Sequence, residues 1–311
     1  MTKLKELFNQ LTTFPIIGLD LGSAALKAVE VAYSPSGEIL LRRAVVVRID
    51  EKVSPLFIKR TLADAGFKTL NVAVGISSPE LVARSFQFPL MPKKELNQAI
   101  QIEAEHTILN GHTLDDMAID WHAFPLAGES IRGILAVVPK TVMEKRTQNF
   151  KSAGVHLRIV DVEGLALWNA YWILKGKKEA VSKTVLLINI GAGTTNLVIA
   201  KGPDELMLVR DFALGERAFA NGQGKDWGAE IADSLGYARS KAGLRTLDTV
   251  YMTGGGSGPH VLPFLKPSWN GPVTFWNPLE QISRDSEASV IQDSQGPLLT
   301  IAIGLALRQP L

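Results

Sequence analysis

The chain carries one structural plan twice. "PIIGLDLGSAALKAVEVAYSPSGEILLRRAVVVRI" opens with an apolar run from Ile16 to Leu19, turns at Asp20 and Gly22, and continues into two more strand-like runs separated by "SPSG". "VLLINIGAGTTNLVIAKGPDELMLVRDFALG" repeats that order: apolar run, turn at Asn189 and Gly191, second run, "GPDE", third run. Asp20 falls opposite Asn189, Gly22 opposite Gly191, and Pro35 opposite Pro203 within one residue. A long-period repeat present twice predicts two related lobes facing one another. The 311 residues suffice for two domains of ordinary size, and an apolar fraction of 46% supplies their cores.

Each copy joins its first two runs by a glycine-rich turn, "DLGS" (Asp20–Ser23) and "NIGAGTT" (Asn189–Thr195). A third, "TGGGSG" (Thr253–Gly258), follows another apolar strand. Glycine lets backbone N–H groups approach an anion with no Cβ between them. Ser23, Thr194 and Thr195 add hydroxyl donors. One such turn is a weak signal, because strand–glycine–strand hairpins are usually structural. Three, two of them copies, predict a phosphate or nucleotide cleft.

Between the copies, residues 71–159 read as strands around two helices, "PKKELNQAIQIEAEHTI" with Pro92 near its start and "KTVMEKRTQNFKSAG" ended by Gly154. This predicts a small α+β subdomain inserted in the first lobe. The expected layout is a first lobe from 15–70 and 160–178, the insert at 71–159, and a shortened second lobe at 179–311. "VEGLALWNAYWILKG" reads as a helix joining the lobes, and the last helix is expected at about 297–308. Residues 1–14 are amphipathic, with Leu4, Leu7, Phe8 and Leu11 at helical spacing beside Lys3 and Lys5. Such an arm either packs on its own domain or lies on a membrane surface or partner.

Several chemistries are excluded or unsupported. A net charge of +2 leaves no basic footprint for nucleic acid. The absence of cysteine removes disulfides and thiolate metal sites, and fits a reducing compartment. No apolar run reaches the roughly 18 residues of a membrane span, and the N-terminus lacks a signal peptide's apolar core. "GAGTTN" lacks the last glycine of a dinucleotide fingerprint and leads into a strand. Pro259 spoils a nucleophile elbow at "GGSGP". The five histidines show no metal-ligand spacing.

"GLDLGSAALKAVEV", "INIGAGTTNLVI" and "VYMTGGGSGPHVLPFL" resemble, in order, the first phosphate, second phosphate and adenosine motifs of the actin–hexokinase–heat-shock chaperone superfamily. Within it the chain is similar to the PilM family of type IV pilus assembly, a relative of the cell-division protein FtsA. Lys27 after the first turn, "ARSFQFPLMPKKELNQAIQIEAEHTI", the inter-lobe "VDVEGLALWNAY", "RDFALGE" and "FWNPLEQI" carry that likeness. It covers nearly the whole chain from Pro15 onward. It implies an α/β, actin-like fold of ribonuclease H-like duplicated lobes, with the insert as a 1C-like subdomain. It implies ATP and Mg2+ between the lobes, on Asp20, Gly22, Ser23, Lys27, Asn189, Gly191, Gly193, Thr194, Thr195, Gly254, Gly255, Gly256 and Ser257, with Asp20 serving the Mg2+. It also implies a cytoplasmic protein, peripheral at the inner membrane, that docks the N-terminal tail of the membrane protein PilN. Membrane contact is then indirect or through the N-terminal arm. Arg84, Phe86 and Phe88 are the candidate partner-binding residues, in a groove between first lobe and insert.

Three residues or segments depart from the family pattern. Asn189 stands where the superfamily carries a second aspartate, and an amide is a poorer Mg2+ ligand than a carboxylate. "ANGQGKD" reads as a loop where relatives have a longer helical stretch. Glu216 replaces the second glycine of a Gly–Gly pair, bringing a carboxylate to the nucleotide side or merely capping a turn. Ala24 and Thr194 follow the two turns, so neither supplies a general base; Glu30 and Glu103 are candidates by chemistry alone. The reading is therefore a scaffold with a degenerate or weak nucleotide site rather than an enzyme. The alternatives are a competent ATPase switch, a type II secretion scaffold, a filament former, and, least supported, a metabolite kinase.

Overall fold

A computed structural model describes residues 15–308 apart from 35, 51–52, 109–111, 125–129, 179–181, 203–204 and 286–290. The arm expected at 1–14, and Pro35 and Pro203 of the repeat, lie outside the described residues.

The first copy forms β1 (Ile17–Leu21), β2 (Ala25–Tyr33) and β3 (Ile39–Arg48), an antiparallel meander. The second forms β9 (Thr184–Ile190), β10 (Thr195–Lys201) and β11 (Glu205–Phe212) in the same way. Beside β1 runs parallel β4 (Asn71–Ile76), then parallel β8 (His156–Val162); beside β9 run parallel β12 (Thr249–Thr253) and β13 (Val273–Phe275). The orders 3-2-1-4-8 and 11-10-9-12-13 are thus one topology used twice. A short β14 (Ser283–Arg284) adds to β3.

Each sheet is buried on both faces, which is why its central strands read as unbroken apolar runs. In β9, Val185 and Leu187 enter the core between the lobes, while Leu186, Ile188 and Ile190 enter the outer core. Helix α1 (Pro55–Asp64) starts on Ser54, whose side chain accepts from Phe57 N at 3.1 Å. With α3 (Lys140–Ser152) it covers the outer face of the first sheet through Ile58, Leu62 and Phe150. Helix α6 (Gly224–Lys241) covers the second with Trp227, Ile231 and Leu235. Between the sheets lie α4 (Glu163–Leu174) and α8 (Thr300–Ala306), with α7 (Leu262–Leu265) outside and a 3-10 turn at Asp293–Leu299 leading into α8.

The inserted strands are β5 (Val82–Pro89), β6 (Met117–Ala123) and β7 (Ser130–Pro139), packed on α2 (Lys93–Glu105) through Phe86, Leu96, Ile100 and Leu135. The expected boundaries of 71 and 159 are too wide. Residues 71–76 are a central strand between β1 and β8, and α3 buries Phe150 in the first lobe, so the excursion is β5 to β7. Its sheet also meets the second lobe, at Ala83 opposite Val209. The loop expected at "ANGQGKD" shrinks to 221–223, because α5 (Glu216–Ala220) and α6 close on it from either side.

Candidate functional site

The three glycine turns meet. They cap β1, β9 and β12 and line a cavity of about 110 Å3 between the lobes. Gly254 has φ +91, and a Cβ there would lie 2.4 Å from Ile190 O, so glycine is required.

The duplicated register sets the chemistry. Asp20 and Lys27 are cross-strand partners in the first copy and form an ion pair at 2.8 Å. Asn189 and Asn196 are the partners in the second. Asn189 Nδ2 donates to Asn196 Oδ1 at 2.7 Å. Asn196 Nδ2 donates to Asp211 Oδ1 at 2.9 Å and, at 3.4 Å, to Glu163 Oε2. Glu163, the first residue of α4, takes Arg146 Nη2 on its other oxygen at 3.3 Å. Arg146 is fixed by donating Nε to Gly75 O and Nη1 to Leu21 O, each at 2.8 Å. A polar chain therefore runs from the first sheet through Arg146, Glu163 and Asn196 to the second sheet.

Burial pushes the Glu163 carboxyl up to about 7; the Asp20 charge adds to this and Arg146 opposes it. Burial also lifts Asp211 to about 6, against the hydrogen bond from Asn196. At the mouth, Arg217 of α5 donates to Ser23 Oγ across the cleft and to Ala192 O at 3.2 Å, and Glu216 lines the wall.

A second concavity, about 630 Å3, lies between β6 and β8. Among the described residues β6 pairs only with β7, and β8 only with β4, so two open strand edges face it. Its walls are largely apolar, with Ile119, Ile134, Val160 and Leu165. Asp120, His122, Arg158, Asp161 and Arg308 are its titratable groups.

The family model for type IV pilus assembly protein PilM matches residues 18–234. The chain belongs to the PilM family. A solved structure, the PilM–PilN type IV pilus biogenesis complex, aligns at TM-score 0.78 and 22% identity, covering 95% of this chain and 98% of that one. A Bacteroides thetaiotaomicron protein of actin-like ATPase fold and unknown function aligns at TM-score 0.50 and 11% identity, covering 88% and 94%. The fold is actin-like.

In this PilM-family chain, Asp20, Gly22, Ser23, Lys27, Asn189, Gly191, Gly193, Thr194, Gly254 and Gly255 all line the cleft. Three residues expected there do not. Thr195 points into the second lobe, donating to Leu214 O at 2.6 Å and accepting from Trp227 Nε1 at 3.1 Å, because strand alternation sends its neighbour Asn196 inward instead. Gly256 and Ser257 build the third turn, through Gly256 N to Ile190 O at 2.9 Å and Ser257 Oγ to Gly254 O at 2.8 Å. The possible general bases are elsewhere: Glu30 pairs with Arg43 and Glu103 with Arg84.

Arg84, Phe86 and Phe88 do not line the groove. β5 is an inner strand between β11 and β7, Phe86 is buried, and its ring stacks on Phe88 at 5.2 Å. The sequence reading passed over Glu163, Asn196, Asp211 and Arg146. The signal for Asn196 was there: it stands seven residues after Asn189, as Lys27 does after Asp20.

The donors suit part of a nucleotide complex. The turns present backbone N–H groups to phosphate, and Asp20 suits a water-mediated Mg2+ contact. The cavity as closed is below the roughly 300–1,000 Å3 of ligand sites, so a nucleoside triphosphate needs the lobes to part.

Proposed function

We propose that this chain is a cytoplasmic scaffold of type IV pilus assembly, held at the inner membrane by the cytoplasmic tail of a PilN-like membrane protein. The groove between β6 and β8 carries this reading. Its volume falls within the range of ligand sites. An extended peptide adds to an open strand edge by main-chain hydrogen bonds, while pockets select its side chains. The family and the PilM–PilN complex support the same partner. No described helix is long and apolar enough to cross a membrane, and on this reading membrane contact runs through the partner. The test is fluorescence anisotropy with a labelled N-terminal peptide of the PilN-like protein. Ala118 lies on the groove wall; Ala118→Trp is expected to weaken binding by roughly tenfold or more at an unchanged melting temperature. Equal binding by both proteins sinks the groove assignment.

The cleft we read as a weak or vestigial ATP site. Bound Mg2+ would supply charge neutralisation at the phosphates. Asp20 would orient it, Lys27 would contact a phosphate, and the turns would hold the anion. Asn189 spends its amide on Asn196, and Arg217 closes the mouth. Calorimetric titration with ATP, with and without Mg2+, checks this. Micromolar, Mg2+-dependent binding would replace it with a nucleotide-gated switch of the same complex.

A further inference from the structure

Asp161 sits at the floor of the groove with its side chain 4% exposed. One oxygen accepts from Val162 N at 2.9 Å. That oxygen also accepts from Arg308 Nη2 at 3.4 Å, and the other, Oδ2, lies 2.8 Å from Arg308 Nε as an ion contact. Oδ2 is thus buried with a charge partner but no hydrogen bond, and it keeps acceptor capacity that a better-aimed donor would fill. Burial pushes Asp161 up from the ordinary carboxylate range; Arg308 opposes that and the Asp120 charge on the facing strand reinforces it.

Arg308 is the groove cation on Asp161, and the others are engaged elsewhere. Arg158 gives Nε to Asn71 Oδ1 at 2.8 Å. Arg308 follows α8 and holds both oxygens of Asp161, but its side chain is 41% exposed, so water screens its charge. His122 packs edge-on against Phe124. Two carboxylates, one from each open strand edge, thus face a space that an extended segment would occupy.

We propose that the groove selects its peptide by a cationic side chain, which Asp161 and Asp120 hold between the two strand edges while flanking apolar residues fill the walls. This deepens the scaffold reading and rests on it. The cation takes the open acceptor on Asp161, displaces Arg308 toward solvent and relieves the repulsion from Asp120. A neutral side chain of equal length leaves the buried carboxylate as it was.

The test uses the full chain and a labelled synthetic peptide of the PilN-like tail, with copies in which each Lys or Arg in turn is norleucine. One replacement is expected to weaken binding to the wild type roughly 30-fold, and binding to Asp161→Asn by less than about threefold. Arg308→Gln is expected to tighten the parent peptide, since it removes the competitor, and its melting curve controls for folding. If the parent peptide binds but every replacement costs the same on wild type and Asp161→Asn, the cation proposal falls and the docking groove stands. If the parent peptide does not bind the wild type, the groove reading falls and takes this proposal with it.

Discussion

Asn189 and Asn196 occupy the cross-strand positions that Asp20 and Lys27 occupy in the first lobe, so a neutral amide pair has taken the place of an ion pair. The exchange suits its surroundings. Glu163 and Asp211 already bring two buried acids to Asn196, and a third carboxylate beside them would carry a desolvation cost with no matching cation. Asn189→Asp should therefore destabilise the protein by about 2–3 kcal/mol. Adding Asn196→Lys, which rebuilds the first lobe's pair, should recover most of that loss. Urea unfolding of the single and double variants checks both, and a double variant no better than the single would refute the pairing. Glu163 supplies a pH signature. Its carboxyl goes from an ordinary 4.5 to about 7 on folding, so between those values the native state keeps a proton that the unfolded chain has released. Stability must then fall as pH rises through that window and level off above it. Glu163→Gln should flatten the fall, leaving the part that Asp211 contributes between its ordinary 3.8 and about 6, with the raised Asp161 carboxyl adding in the same direction. Melting temperatures from pH 4 to 8 report it; identical slopes in both proteins would remove Glu163 as the cause. Asp20 and the glycines were legible because turn chemistry is local. Glu163 and Asp211 were not, because a carboxylate 140 or more positions from the first turn gives no local sign that it points into the same space.

At the scale of elements, α8 makes the closest backbone approaches to any described glycine. A Cβ on Gly304 would lie 1.9 Å from Ala166 O of α4, and one on Gly18 of β1 would lie 1.9 Å from Ala302 O. Both obstacles are backbone, so helix or strand must move. Gly304→Ala should cost about 3 kcal/mol or more through overpacking, which a shift in urea midpoint will show; an unchanged midpoint would mean the helices are not in contact there. Strands β1, β9 and β10 could be read directly because burial on both faces leaves apolar runs. The insert's edges could not. "NVAVGI" looks the same whether it opens a subdomain or sits mid-sheet, and only its pairing with β1 and β8 decides. The same holds for Phe86 and Phe88, where alternation marks two faces without saying which is outside.

Taken whole, the molecule is a duplicated sheet with helices outside each copy and α4 and α8 between them. The duplication was plain in the sequence because each copy has to make the same turn for itself. How tightly the copies close was not, since that depends on contacts such as Arg217 to Ser23. That contact is exposed, so Arg217→Ala should leave global stability within roughly 0.5 kcal/mol. Amide exchange in the turns at 20–24 and 191–194 should quicken nonetheless, as the mouth loosens. Exchange unchanged in both turns would show that the lobes are held by their shared core alone.

The position of α8 also bears on how the protein comes off the ribosome. Gly18 is made long before the segment that seals it, around Ala302 in the last of the helices described. At roughly 5–20 residues per second, the inner face of the first sheet waits roughly 15–60 s for its cover. The first lobe therefore cannot finish before the second is synthesised. Nascent chains of this protein should spend that interval bound to whatever in the cell shields unfinished apolar surface.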